Sequence, residues 1–224
     1  MTGVDDIAVV IPAYNAGAKL ELVLSKIRAI IPQRQVIVVN DGSTDNTDRV
    51  AEQSGVQIFR HAQNRGKGAA LKGGFDFALA MPQIQAVISM DADGQHAPEH
   101  LPDFIRTFRE TSVNLIIGCR QLRWPQMPFF RVCSNRLTSA MVSRRLGVKI
   151  SDSQSGYRLQ TRKLLERVMP LTNGYEMESE LLIKAVRAGM VIGFIPIATI
   201  YSGEESHIRG ARDTWRFIKM WFSQ

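Results

Sequence analysis

Along the first half of the chain, short apolar runs alternate with segments of helical period, and no other feature limits the fold as much. The runs are "IAVVI" (7–11), "QVIVV" (35–39), "VQIFR" (56–60), "AVISM" (86–90) and "VNLIIG" (113–118). Between them, 17–31, 43–55, 66–80 and 98–110 carry apolar residues at helical spacing or open on helix-capping residues. Short strands separated by helices predict a parallel α/β sheet built from crossovers. Such sheets bind ligands beyond the carboxyl ends of their strands. Three polar stretches fall at those ends: "PAYN" after the first run, "NDGSTD" after the second and "DADGQH" after the fourth.

The second half is less regular. Residues 129–147 and 178–189 read as helices, 190–201 as a strand and 212–222 as a terminal helix. With 224 residues, 45% hydrophobic and 22% charged, and no linker-like tract, the chain reads as one large globular domain. Cys119 and Cys133 have neither metal-site nor disulfide-framework spacing, which suits a reduced, cytoplasmic setting. "MTGVDDIAVV" lacks the basic start of a signal peptide, and the apolar stretch 188–201 contains Pro196 and is too short to span a bilayer. The expectation is a protein that is soluble or attached at a surface. A net charge of +7 suits an anionic partner, either a phosphorylated substrate or an acidic membrane face. Zinc-finger spacing, an aromatic RNA-binding signature and a long basic helix are all missing, so nucleic acid is not the expected partner.

The common nucleotide signatures fail. No G-x-G-x-x-G follows the first strand, "GKGAAL" (66–71) ends in Leu71 instead of Gly or Ala, and no phosphate loop ends in Gly-Lys-Ser/Thr. "MDADGQH" by itself admits two readings. Strands end in turns, and turns favour Asp and Gly. Alternate residues of an extended chain also point the same way, so Asp91 and Asp93 can converge on one hard cation.

Taken in order, "VVIPAYNAG", "VIVVNDGSTDNT", "NRGKGAALKGGF" and "MDADGQHAPEHL" resemble the family 2 inverting glycosyltransferases of the GT-A fold. "GCR", "SDSQSGYRL", "YEMESELLIKAVRAG" and "IPIATIYSGEESHI" extend the resemblance, to about residue 208, toward the branch of dolichyl- and polyprenyl-phosphate sugar synthases. The resemblance implies a single GT-A domain, a Rossmann-like, mostly parallel sheet with helices on both faces. Its catalytic unit is expected over 1–210, followed by an amphipathic helix over 211–224.

The resemblance also assigns residues. Pro12, Tyr14 and Asn15 line the nucleotide, although Ala16 stands where many relatives have Glu, which leaves the base unspecified. Asp41 holds base or ribose, Gly42 permits the turn, and Ser43 or Thr44 is expected to cap the next helix, with Asp45 a favourable charge near its start. Lys67 belongs to the donor pocket, although a solvated loop lysine reads the same. Asp91, Asp93 and Gln95 supply oxygens to Mg²⁺ or Mn²⁺ on the donor's diphosphate, and His96 reads as a helix-entry residue instead of a ligand. Arg120 and Arg131 match the family's phosphate-binding arginines, in a stretch that also holds Arg123, Arg136, Trp124, Phe129 and Phe130; a solvated basic loop is the plain alternative. Asp152 matches a position close to sugar and metal, with Gln154, Ser155 and Gly156 completing its turn. Glu178 and Glu180 lie in a family motif, where ordinary compensation of a helix dipole explains them equally well.

No Glu-Asp pair of the kind used as a general base appears, and an ionised phosphate acceptor needs cations in place of a base. The expected activity is hexose transfer (mannose or glucose) from a GDP- or UDP-sugar to a polyprenyl-phosphate-type lipid, with Asp93, Asp152 and Arg131 as the catalytic set. The setting would be peripheral, at the inner, cytoplasmic face of a membrane. Two alternatives stand beside it. One is a soluble family 2 transferase with a hydroxyl acceptor and Asp152 or Glu178 as base; the other is an inactive nucleotide-binding scaffold. Phe217, Ile218, Trp221 and Phe222 share a face of the terminal helix opposite Arg212, Arg216 and Lys219, which fits either a membrane-interfacial helix or one packed on its own domain.

Overall fold

The computed structural model describes residues 3–120, 129–198 and 221, and for 129–134 the backbone alone. Seven strands form one sheet: β1 (Ile7–Ala13), β2 (Val36–Asn40), β3 (Gln57–Arg60), β4 (Ala86–Ser89), β5 (Leu115–Arg120), β6 (Arg158–Thr161) and β7 (Ile192–Ile197). Their spatial order is β3-β2-β1-β4-β6-β5-β7. The first four pair in parallel, β6 runs antiparallel to both β4 and β5, and β7 returns parallel to β5. The helices are α1 (Gly17–Ile27), α2 (Thr47–Gln53), α3 (Lys67–Leu79), α4 (Leu101–Glu110), α5 (Phe129–Leu146), α6 (Arg162–Val168) and α7 (Met177–Arg187). A mostly parallel sheet with helices on both faces was expected, and that is the architecture.

β1 shows why the sheet is covered twice. Ile7, Val9 and Ile11 point into a cluster with Leu20, Val23 and Ile27 of α1, Ala51 of α2 and Phe104 of α4. Ala8 and Val10 point the other way, into a cluster with Leu71 and Phe75 of α3 and Leu181 of α7. A strand buried on both faces has no polar alternation, which is why β1, β2 and β4 read as unbroken apolar runs. A third cluster, under α5 and α7, holds Leu115 and Ile117 of β5, Val142, Leu182 and Ile183.

Three local expectations change. α2 begins at Thr47, not in the 43–46 stretch, and neither Ser43 nor Thr44 caps it. Ser43 Oγ instead accepts from the Asn15 amide (3.0 Å), while the Thr44 amide donates to Asn15 Oδ1 (2.8 Å). Asp45 and Thr47 reach back to the start of α1 and accept from the Gly17 (3.1 Å) and Ala16 (2.9 Å) amides. These are donors that α1 cannot satisfy within itself. Second, β6 and α6 were not anticipated. In "RLQT" the polar Arg158 and Gln160 break any apolar pattern, yet all four residues are buried. Third, of the terminal helix only Trp221 falls within the described residues, and it packs against the third cluster.

β1 and β4 are neighbours, whereas β1 also pairs β2 on its other edge, so the chain reverses direction across the sheet between them. Crevices form at such a reversal, beyond the carboxyl ends of the strands. β6, being antiparallel, brings its amino end to that same edge.

α3 lies close on this part of the sheet because Gly74 has no side chain. A Cβ there would stand 2.4 Å from Val10 Cγ1 and 2.9 Å from Val39 Cγ2, both on buried strands. Gly74→Val is therefore expected to lower stability by about 1–3 kcal/mol through overpacking, read as a fall in the urea midpoint at unchanged slope.

Candidate active site

The carboxyl ends of β1, β2, β4 and β5 and the amino ends of β6 and α7 meet at one edge of the sheet. Pro12 is half-buried within β1, Tyr14 is exposed just beyond it, and Asn15 adopts a left-handed φ of 49°. Asn tolerates that conformation, and here it ties the turn after β1 to the turn after β2 through Ser43 and Thr44. Asp41 is buried. Its Oδ1 accepts from His61 Nδ1 (2.6 Å) and the Arg65 amide (3.0 Å), and its Oδ2 from the Gly66 amide (2.8 Å). The carboxylate thus pins the loop leading into α3, with part of its acceptor capacity left over.

That loop delivers Lys67, which is no solvated loop lysine. Its ammonium lies 2.7 Å from Asp91 Oδ1 and 2.9 Å from Glu178 Oε1, with the Tyr175 ring 5.7 Å away. Glu178 Oε1 makes no aligned hydrogen bond, so this second contact is an ion pair alone. Burial disfavours the Lys67 charge, but Asp91 and then Glu178 outweigh burial and raise its pKa. Burial likewise pushes the Asp91 carboxyl up, and the attraction of Lys67 overcomes it, bringing Asp91 down to about 2. Lys67 and Asp91 therefore hold each other in the charged form.

Asp91 is also held from behind. Its amide donates 2.9 Å to His96 Nδ1, and the His96 ring stacks on Tyr157 at a centroid distance of 5.0 Å. Tyr157 in turn packs on Phe104 at 4.6 Å and its hydroxyl donates to the Ala97 carbonyl. Burial lowers the imidazole to about 4, which keeps Nδ1 free to accept at neutral pH. Asp93 Oδ1 accepts from the Gln95 amide (2.9 Å), forming the turn that carries all three expected metal ligands. Among the described residues no three carboxylates, imidazoles or thiols gather into a closed metal site. Asp91 beside a glycine, with Asp93 two residues on in the same short turn, supplies the donor type of a hard cation that takes its other oxygens from substrate.

The glycine is Gly156. A Cβ there would sit 2.8 Å from Lys67 Nζ, 2.9 Å from Glu178 Oε1 and 3.3 Å from Asp91 Oδ2. Its turn also holds Asp152, fully buried. Arg120 reaches Asp152 with two donors, Nε to Oδ2 (2.8 Å) and Nη2 to Oδ1 (3.0 Å). Asn135 Nδ2 (2.8 Å) and the Gln154 amide (3.1 Å) also donate to Oδ1. Burial acts to raise the Asp152 carboxyl, but Arg120 and Asn135 prevail and hold it below the usual carboxylate range. Ser155 is buried with no partner for its hydroxyl, and the Gln154 side chain is exposed beside Thr138.

The structure therefore brings Lys67, Asp91, Glu178 and Gly156 into one cluster and pairs Arg120 with Asp152. It separates the two glutamates of α7. Glu180 accepts from the Leu171 and Thr172 amides and pairs with Lys184 (2.6 Å), so it serves the loop before α7, while Glu178 faces the cluster. The Arg131 side chain lies outside the described residues, as do Arg123 and Trp124 and the Phe129 and Phe130 side chains.

Two contributors escaped the sequence reading. Asn135 reaches Asp152 from 17 positions away, and nothing local marks it. Arg158 is buried, and its guanidinium donates to the carbonyls of Ser155 (2.6 Å), Ser153 (2.9 Å) and Glu178 (2.5 Å). A charged residue amid the buried side chains of "GYRLQ" was the one signal for it.

Comparison with known proteins agrees with this geometry. Residues 8–169 match the model of glycosyl transferase family 2. Polyprenol monophosphomannose synthase of Mycolicibacterium smegmatis is 30% identical over 204 residues, covering 84% of this chain and 75% of that protein. UDP-N-acetylglucosamine–dolichyl-phosphate N-acetylglucosaminyltransferase of Methanococcus voltae is 30% identical over 226 residues, covering 91% and 89%. Among solved structures, glucosyl-3-phosphoglycerate synthase of Mycobacterium tuberculosis, crystallised with Mn²⁺, UDP and glucosyl-3-phosphoglycerate, superposes with a TM-score of 0.79 at 22% identity, covering 98% of this chain and 80% of that one. The fold is shared, and the chain belongs to glycosyl transferase family 2, a glycosyltransferase of the GT-A fold.

Proposed function

We propose that this enzyme transfers a hexose, mannose or glucose, from a nucleotide diphosphate sugar to a polyprenyl- or dolichyl-phosphate-type lipid, with a divalent cation at Asp91, Asp93 and Gln95. The observation that carries the acceptor class is the state of Asp152. A carboxylate bonded by Arg120, Asn135 and a backbone amide, and held below its ordinary pKa, is poorly suited to take a proton from a hydroxyl. A phosphate monoester acceptor arrives already ionised. The names of the two relatives, each a transferase of a sugar to a lipid phosphate, support the same reading.

In this reading Asp41 orders the donor-side loop and, with Pro12, Tyr14 and Asn15, borders the nucleoside. Mg²⁺ or Mn²⁺, when bound, would act as a Lewis acid toward the leaving diphosphate; the solved neighbour carries Mn²⁺ with UDP. Lys67 keeps a positive charge beside the same oxygens. Asp152 sets the guanidinium plane of Arg120, whose remaining N–H groups can address the acceptor phosphate together with Arg131. In-line attack from that side inverts the anomeric carbon, and no proton has to be removed from the nucleophile. No helix among the described residues is long and apolar enough to cross a membrane, which leaves a peripheral contact at the inner face of the membrane as the expected route to such a lipid.

The decisive assay measures consumption of UDP- and GDP-hexoses by purified protein with Mg²⁺ or Mn²⁺, with and without a short-chain polyprenyl phosphate. Turnover should require lipid phosphate and metal and fall by about 10²-fold or more in Asp93→Ala; metal-dependent donor binding that lipid phosphate never converts to turnover rejects the reading. Asp152→Asn separates the acceptor classes. With a phosphate acceptor its kcat should fall less than about tenfold, against the roughly 10²–10⁴-fold loss of a missing general base. Gly156→Ala should lose about 10² in kcat/KM with a thermal midpoint close to that of the unsubstituted protein, because its Cβ displaces Lys67 and Glu178 and leaves the core untouched.

A further inference from the structure

α5 turns hydrogen-bonding side chains inward and leaves two large apolar ones outside. Its buried side carries Asn135, Ser139 and Ser143, spaced one helical turn apart. Asn135 serves Asp152, Ser139 Oγ accepts from the Ser153 amide (3.0 Å) and Ser143 Oγ from the Ile150 amide (2.9 Å). The opposite side exposes Leu137 (65%) and Met141 (43%), with Val148 (39%) just past the helix end. A helix facing water normally shows the reverse arrangement.

Charge follows the same division. α5 contains no acidic residue. Arg136 and Arg144 are exposed along one flank of the apolar stripe, and Lys149 is exposed beyond the other. Arg145 lies over the Trp221 ring, 4.4 Å from its centroid, while Leu137 and Met141 are exposed. Apolar residues bordered by arginine and lysine, on a helix that itself carries no carboxylate, are complementary to an anionic lipid surface.

The helix is also tied to the reaction site. Asn135, two residues before Leu137, bonds the carboxylate that holds Arg120, and Thr138 lies 3.5 Å from Gln154. We propose that the outward face of α5, through Leu137, Met141, Val148, Arg144 and Lys149, docks the enzyme on an anionic bilayer. This rests on the acceptor reading above and assigns it a place: the lipid phosphate enters from the membrane along α5 toward Arg120.

The test is co-sedimentation of the full chain with phosphatidylcholine vesicles with and without phosphatidylglycerol. Anionic vesicles should bind the protein in a salt-sensitive manner. Partitioning should weaken about fivefold per charge removed in Arg144→Gln/Lys149→Gln, and about tenfold or more in Leu137→Gln/Met141→Gln. Both variants should keep the wild-type circular dichroism and turnover with a water-soluble short-chain polyprenyl phosphate, since all four positions lie on the surface. If both sediment like the wild type, the proposal is overturned. It also falls if Phe217→Gln/Phe222→Gln abolishes sedimentation while the α5 variants do not, because the terminal segment is then the docking element. Loss of a dimer in Leu137→Gln/Met141→Gln at unchanged vesicle binding would make the face a protein interface and equally overturn it. Failure of the short-chain acceptor to turn over rejects the acceptor reading alone, and docking is then decided by sedimentation.

Discussion

Three carbonyl oxygens, those of Ser153, Ser155 and Glu178, converge on the guanidinium of Arg158, which is almost wholly shielded from water. Burial works against that charge, but an arginine in a protein does not give up its proton, so its donors must be matched where they lie. Matching them fixes the distance between two pieces of chain, the turn before β6 and the first turn of α7. Asp152 and Gly156 ride on the first piece and Glu178 on the second, so one buried cation sets the depth and width of the site. The β4–β6 pairing completes the frame, with Ser89 Oγ donating to the Gly156 carbonyl at 3.0 Å.

On that frame the site alternates charge. Asp91, Lys67 and Glu178 form one chain of opposite neighbours, and Arg120 with Asp152 forms another. In a half-dry crevice such pairs hold each group in place, and Asp91, Lys67, Asp152 and Arg120 keep one another ionised. In the proposed reaction this preorganises charge where a diphosphate would leave and an anionic acceptor would approach. Gly156 controls the geometry in a plain steric sense, because any side chain there would press on Lys67, Glu178 and Asp91.

α5 belongs to the same design. Asn135 turns inward to Asp152 and Ser139 to the turn at 152–153, while Leu137 and Met141 stand outside. An enzyme whose acceptor is a membrane lipid can use that arrangement on both sides of one helix.

The sequence by itself determined the parallel half of the sheet, since strands buried on both faces need unbroken apolar runs, and it placed the motif residues Asp41, Lys67 and Asp91 at strand and helix ends, with Asp152 in a turn that family resemblance alone marked. Local pattern carries that much, because periodicity and turn chemistry act over a few residues. It could not rank Glu178 against Glu180, which stand two apart on one helix and differ in whether Lys67 or the 171–172 loop lies opposite. Nor could it find β6, whose Arg158 and Gln160 look like surface residues until the Ser153, Ser155 and Glu178 carbonyls and Ser89 receive them. The commitment of Asp152 to Arg120, 32 positions away, was equally invisible. Those outcomes are contacts between segments distant in sequence, and only packing the helices against the sheet decides which charges meet.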